Sequence, residues 1–180
     1  MYLRIAHNRF NKMITGLCER LELQVLRKED LKFTYNIYIE SLKSKQLMSQ
    51  GQIPIWEEAS DQFEIDLWKV TNEKGRIYGW GGFTSLSDRP NHVGVMEINL
   101  YMLKGSKGTQ AGKMLLDRII AEGIRQSFWT FQTNCLKHDR RLIKLFISFG
   151  FRYVGVREGF EKINGIWHDL VLLEKRNVNI

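Results

Sequence analysis

The stretch from Lys104 to Leu116, KGSKGTQAGKMLL, sets three lysines and three glycines directly ahead of an amphipathic helical pattern. The segment before it, Val93 to Leu103, reads as a strand. Strand, glycine loop and helix start, in that order, make a site for a doubly charged anion such as a pyrophosphate. The glycines allow close backbone approach. The unpaired N–H groups of the first helical turn and the positive end of the helix dipole then face the anion. Lys104, Lys107 and Lys113 add mobile positive charge. The alternative without a ligand is a plain surface turn capped by glycines.

Two nucleotide-loop patterns fail here. A Walker-type loop needs Gly, four residues, then Gly-Lys-Ser/Thr. Met114 follows Gly112-Lys113, so the magnesium-binding hydroxyl is missing, and Lys107 stands where the first glycine belongs. The dinucleotide fingerprint G-x-G-x-x-G is absent, and no early βαβ unit precedes the loop.

The segment Lys107-Gly-Thr-Gln-Ala-Gly112, followed by Leu115 and Leu116, resembles motif A of the GNAT acyltransferase superfamily, Q/R-x-x-G-x-G/A. It departs from that pattern at Lys107, where Arg or Gln is usual, and at Gln110, where the first glycine is usual. Leu142 to Phe151 is similar to the motif B helix, which ends in Gly-Phe and enters a strand. Asn164 to Glu174 is similar to the closing hairpin strand, so the resemblance spans roughly Leu21 to Glu174.

The resemblance implies a co-substrate, acetyl-CoA, and attack on its thioester by a primary amine. It implies that the backbone of Leu100, Tyr101, Met102 and Leu103 meets the pantetheine arm and the thioester oxygen. The pyrophosphate would lie on Lys107, Gly108, Thr109, Gln110, Ala111, Gly112 and Lys113. Asp139 stands where an Asn often touches the cofactor. Phe146 stands where a Tyr usually serves as proton donor, and a phenyl ring donates no proton. A water or Tyr153 would then protonate the leaving thiolate, or the thiolate would leave unassisted. Glu97, ten residues ahead of Lys107, is the candidate general base, because a carboxylate between strands and away from bulk water suits that task. A structural Glu paired with a neighbour is the alternative.

The implied acceptor is a protein N-terminus or a small-molecule amine. The different-class alternative is a basic CoA-binding or RNA-associated module, with a tRNA-directed acetyltransferase between the two. The formal charge of +7, from 27 basic and 20 acidic residues, accommodates a phosphate-rich cofactor and also an RNA or tRNA partner. Hydrophobic residues are 43% of the chain, an ordinary share for a globular protein. No apolar run approaches the roughly 20 residues needed to span a bilayer. Cys18 and Cys135 are too few for a disulfide framework and read as free thiols in a reducing compartment. The four histidines show no metal-ligand spacing, so no metal is expected. A cytoplasmic monomer or homodimer without membrane contact is the expectation.

The elements that must position these residues form an α/β fold, a mixed twisted sheet of about six to seven strands with helices on both faces. Residues 1–20 read as an N-terminal extension and 21–176 as a single domain. Leu21 to Leu26 alternates as a strand, and Leu31 to Leu42 follows as a helix with Phe33, Ile37 and Tyr38 inward. Trp56 to Trp68 reads as a second helix. Aromatics of this region (Phe33, Tyr35, Tyr38, Trp56, Phe63, Trp68) are core residues or the lining of an acceptor pocket. Lys69 to Thr71 and Arg76 to Leu86 form a hairpin, and its run Gly79-Trp-Gly-Gly82 implies a bulge or a close approach. Gln110 to Gln126 is the helix after the loop, Phe128 to Leu136 a strand, and Asp139 caps a helix through Phe149. Phe151–Arg157 and Ile166–Glu174 are the last strands, with a turn at Asn164-Gly165.

Overall fold

The computed structural model describes residues 20–41, 67–86, 89–107 and 109–177. In chain order these hold β1 (Leu21–Val25), α1 (Leu31–Ser41), β2 (Trp68–Asn72), β3 (Ile77–Ser85) and β4 (Val95–Met102). Then come α2 (Gln110–Arg125), β5 (Thr130–Leu136), α3 (Arg140–Ser148), β6 (Arg152–Ile163) and β7 (Ile166–Arg176). The strands make one seven-stranded sheet in the order β1-β2-β3-β4-β5-β7-β6. Only β4 and β5 run parallel; every other neighbouring pair is antiparallel. The mixed sheet expected from the sequence is therefore present, with helices on both faces.

Period-two alternation along β4 decides what lies on each face. Ile98, Leu100 and Met102 join Leu115, Leu116 and Ile119 of α2 and Leu145 and Phe146 of α3 in the main core. Each fully buried Leu or Ile there contributes about 1.5–3 kcal/mol. Tyr101 and Leu103 face the other way, into a smaller cluster with Trp80 and with Ile37 of α1. The Trp80 indole N–H donates to the Thr34 carbonyl at 3.0 Å and pins α1 to that face.

The glycines of β3 have a packing reason. A Cβ on Gly81 would stand 2.4 Å from the Asn99 carbonyl and 3.1 Å from Ile119 Cδ1, so only glycine lets α2 sit this close to the sheet. A register shift between Val70 and Thr71 lies beside this run, so both the bulge and the close approach occur.

Several local expectations are corrected. Trp68 opens β2 rather than ending a helix; it pairs with Val25 and with Gly81 and lies in the main core. Leu67-Trp-Lys-Val70 suits a buried strand as well as a helical stripe, and pairing on both sides decides it. Residues 56–66 of that expected helix, with Trp56 and Phe63, lie outside the described residues, as does the N-terminal extension before Arg20. Phe33 is 61% exposed, because α1 turns Thr34 and Ile37 to the sheet instead. Strand β5 begins at Thr130 rather than Phe128, and β6 runs on to Ile163 rather than stopping at Arg157. The turn after it has Asn164 at φ 52° and Gly165 at φ 80°, as an Asn-Gly hairpin requires. No helix among the described residues is long and apolar enough to cross a membrane.

Candidate active site

The site begins where two strands part. Strands β4 and β5 pair at Val95–Thr130, Met96–Phe131 and Glu97–Gln132, and there the pairing stops. Both strands continue, β4 to Met102 and β5 to Leu136. A cleft of about 410 Å³ opens between them. The other edge of β4 stays paired with β3 from Met96 to Met102, and the Leu103 N–H donates to the Tyr78 carbonyl at 2.9 Å. Strand alternation then turns the backbone groups of Ile98, Leu100 and Met102 toward the cleft. Those of Tyr101 and Leu103 serve β3.

At one mouth of the cleft lies the loop before α2. Thr109 is the N-cap residue, but its hydroxyl donates back to the Ser106 carbonyl at 2.6 Å and makes no side-chain cap. The Lys113 N–H closes the first helical bond, to the Thr109 carbonyl at 3.1 Å. The N–H groups of Gln110, Ala111 and Gly112 precede that bond, and no acidic residue occupies the first turn. Lys107 reaches across to form an ion pair with Asp139, and both side chains are largely buried. Asp139 also caps α3 by accepting from the Leu142 N–H at 3.2 Å. One carboxylate thus ties the loop to the next helix.

The opposite part of the cleft is lined by carboxylates and rings. Glu97, at the point of parting, accepts from Asn134 Nδ2 at 2.7 Å, an amide reaching over from β5. The Asn134 Oδ1 atom is buried without a hydrogen-bond partner among the described residues. Tyr101 packs edge-on against Tyr38 at 5.1 Å and lies 4.6 Å from the Trp80 ring. Burial pushes the Tyr101 hydroxyl well above its ordinary range, so it remains a proton-bearing donor at neutral pH. Glu161 of β6 lines the same cleft. Burial raises its carboxyl above the usual range, while His168, paired with it on β7, pulls the other way.

No family model matches the sequence, and no curated protein matches it at a significant level. Solved structures do match. An N-acetyltransferase from Staphylococcus aureus Mu50 is 20% identical with a TM-score of 0.76, over 87% of this chain and 98% of that one. A ribosomal-protein-alanine N-acetyltransferase from Brucella melitensis is 17% identical with a TM-score of 0.75, over 87% and 99%. A GNAT superfamily phosphinothricin acetyltransferase from Sinorhizobium meliloti, in complex with acetyl-CoA, is 18% identical with a TM-score of 0.71, over 87% and 88%. The chain has the GNAT fold.

On this GNAT fold the residues singled out in the sequence separate into groups. Glu97, Leu100, Tyr101, Lys107 and Asp139 line the cleft. Thr109, Gln110, Ala111, Gly112 and Lys113 form the start of α2 beside it, and Gly108 lies outside the described residues. Met102 keeps its side chain in the core and offers backbone alone. Leu103 is spent on Tyr78. Phe146 is not on the cleft wall: it is fully buried, with its ring 5.0 Å from Phe151, because α3 turns its apolar face to the sheet. Tyr153 is 54% exposed and does not line the cleft. Of the aromatics considered for an acceptor pocket, Tyr38 reaches the cleft, while Trp68 is core and Phe33 is exposed.

The sequence reading missed Asn134, Arg157, Phe160 and Glu161, all of which line the cleft. Asn134 follows from the alternation of β5, which shares a face among Gln132, Asn134 and the cleft. The other three lie on a part of β6 with no local signal. Among the described residues no group of three His, Cys, Asp or Glu side chains is placed to hold a metal ion.

Proposed function

We propose that the chain is an N-acetyltransferase that uses acetyl-CoA and acetylates a primary amine, by direct transfer within the cleft between β4 and β5. The observation that carries this is the parting of the strands at Glu97, with unpaired helix N–H groups at one mouth and carboxylates with rings at the other. A binding module for CoA or RNA needs the first of these and not the second. The bound structure of the Sinorhizobium meliloti protein, with acetyl-CoA on the same fold, supports the choice of co-substrate.

The residues present suit this group. The N–H groups of Gln110, Ala111 and Gly112, with Lys107 and Lys113, would take the pyrophosphate. Bound acetyl-CoA supplies a thioester whose C–S bond breaks as the amine nitrogen forms its C–N bond, with the electron pair leaving on sulfur. The cleft-facing amide of Leu100 would stabilise charge on an acyl oxygen, being held by a strand that needs no reorganisation. Glu97 would accept the amine proton, directly or through one water. Its other oxygen is held by Asn134, which fixes the carboxylate in orientation.

Calorimetry with CoA, followed by mass spectrometry of reactions with acetyl-CoA, tests this reading. The amines offered are N-terminal peptides, polyamines, aminoglycosides, aminoacyl-tRNA and free amino acids. CoA binding with acetylation of at least one amine is expected. A folded protein with no measurable CoA binding would refute the proposal.

A further inference from the structure

Glu161 and Arg157 both line the cleft, four residues apart on one strand, and they do not pair with each other. Neither forms an ion pair or a side-chain hydrogen bond with any described residue. The Arg157 guanidinium instead lies over the Phe160 ring, 4.8 Å from its centroid. Opposite charges in one cleft normally neutralise each other when they can reach. Left apart and partly desolvated, each is a costly group that a ligand of the opposite charge would satisfy.

The local backbone explains why they stay apart. Arg157 pairs with Leu170 and Glu161 with His168, so four steps of β6 match two of β7. The excess forms a bulge at Glu158, Gly159 and Phe160, in which Gly159 has φ +52°. The Gly159 N–H donates to Asp169 Oδ1 at 3.0 Å, and Asp169 Oδ2 pairs with Lys137 Nζ at 2.9 Å. The Gly159 hydrogen bond, then Lys137, holds the Asp169 carboxyl below its usual range, so the anchor is ionised at neutral pH. Lys137 directly follows β5, the wall of the cleft. The bulge is thus tied to the cleft wall, and it carries Arg157, Phe160 and Glu161 as a preset group.

We propose that the acceptor is a small zwitterion, an amine bearing its own anionic group as a free amino acid does, held with its ammonium at Glu161 and its anion at Arg157. Phe160, Tyr38 and Tyr101 give its remaining part an aromatic wall. This rests on the acyl-transfer reading of the cleft and names its acceptor. Glu161 and Arg157 are binding residues. The ammonium first loses one proton to Glu97, directly or through water, to become the neutral nucleophile. The second proton, shed on amide formation, passes through solvent to the leaving thiolate. Among the described residues, the charged or titratable groups around Glu161 are His168 of β7, Tyr38 of α1 and Tyr101 of β4, and Glu97 lines the same cleft. None of them is a cation competing as strongly as Arg157 for the anionic group. A peptide N-terminus lacks that group beside its amine, and a polyamine has only the cationic half.

The test uses the full chain, acetyl-CoA, and the common L-amino acids, each beside its carboxamide. At least one free amino acid should be acetylated with a KM about tenfold or more below that of its amide, as expected when a charge-assisted pair is lost. Arg157→Ala should remove that difference by raising the KM of the acid alone. Glu161→Gln should raise KM for acid and amide alike. CoA calorimetry on each variant reads the other mouth of the cleft and reports folding independently. Amides used as well as acids, peptides or polyamines acetylated in place of free amino acids, or an Arg157→Ala change that falls equally on acid and amide would each overturn the proposal. CoA binding without acetylation of any amino acid would overturn it while sparing the CoA site. No CoA binding by the wild-type chain would remove both readings.

Discussion

The two mouths of the cleft are built from different materials. At the α2 mouth the groups that would recognise a ligand are backbone N–H groups, and the nearby side-chain charges, Lys107 and Asp139, cancel one another. At the β6 mouth the groups are side chains, and among the described residues the charges of Arg157 and Glu161 stand uncancelled. Backbone donors exist whatever the side chains are, so the first mouth would tolerate departures such as Lys107 and Gln110 in its loop. Side-chain charges are set one residue at a time, so the second mouth is where this chain would be selective. We read the first as generic to the donor and the second as particular to the acceptor.

The largest effect should come from the residue between the mouths. Glu97→Gln keeps shape and the hydrogen bond to Asn134 within reach while removing the base. General-base assistance is worth about 10²–10⁴-fold, so kcat should fall by about a hundredfold or more. CoA affinity should not change. The loss should shrink toward higher pH, where more of the amine is already neutral. Steady-state kinetics across pH, with calorimetry alongside, decides it. An unaltered pH–rate profile in the Gln variant would make Glu97 a structural partner of Asn134 and shift the proton to another route.

The next effects are about tenfold and have opposite signs. Gln110 is the first helical residue of α2, where proline fits because that N–H has no intrahelical partner. Thr109 before it is extended, at φ −82° and ψ 178°, as a residue preceding proline should be. Gln110→Pro therefore deletes one N–H of the proposed pyrophosphate site and leaves the helix intact. A hydrogen bond to a charged group is worth about 1.5–3 kcal/mol, so CoA should bind about tenfold or more weakly with the melting temperature unchanged. Asp139→Asn keeps a good N-cap but releases Lys107 from its ion pair. CoA should then bind several-fold to about tenfold more tightly, since Lys107 no longer leaves a partner to reach the phosphates. If both substitutions left CoA affinity untouched, the pyrophosphate would not lie at the start of α2, and the contrast between the mouths would fail.

What could be read in the sequence follows the same division. The loop and the α2 start, the Asp139 cap and the Asn164-Gly165 turn are written in consecutive residues, because glycine, cap and turn chemistry is local. The parting of β4 from β5 is not local: the alternation of β4 marks a strand, but nothing in it says that pairing ends at Glu97. The β6 bulge depends on Asp169 and Lys137, neither of which is near Gly159 in sequence. Seen alone, Glu158-Gly-Phe-Glu161 reads as the end of a strand, and Glu161 goes unnoticed. Trp68 and Phe33 failed for a related reason. Trp68 suited a helical stripe as well as a strand, and pairing on both sides chose the strand, whereas the packing of α1 turned Thr34 and Ile37 inward in place of Phe33.

The smallest effect is expected at Cys135, and its smallness is informative. The thiol lies on the cleft wall, 1% exposed, where a nucleophile could take the acetyl group before the amine does. Burial pushes it up to about 12; the charge of Asp139 acts in the same direction, and Thr133 and Lys107 oppose it. At neutral pH the thiol is then held protonated, which disfavours an acyl-enzyme route. On the proposed acetyl-transfer reading this favours direct transfer, with Cys135 as wall rather than nucleophile. Cys135→Ala should leave kcat within about threefold of the parent, the main change being a small loss of packing. Mixing the parent protein with acetyl-CoA, without an acceptor, should release no burst of free CoA and add no acetyl mass to the chain. A stoichiometric burst that disappears in Cys135→Ala would replace direct transfer with a two-step route, and would move part of the chemistry from the β6 mouth into the wall between the two.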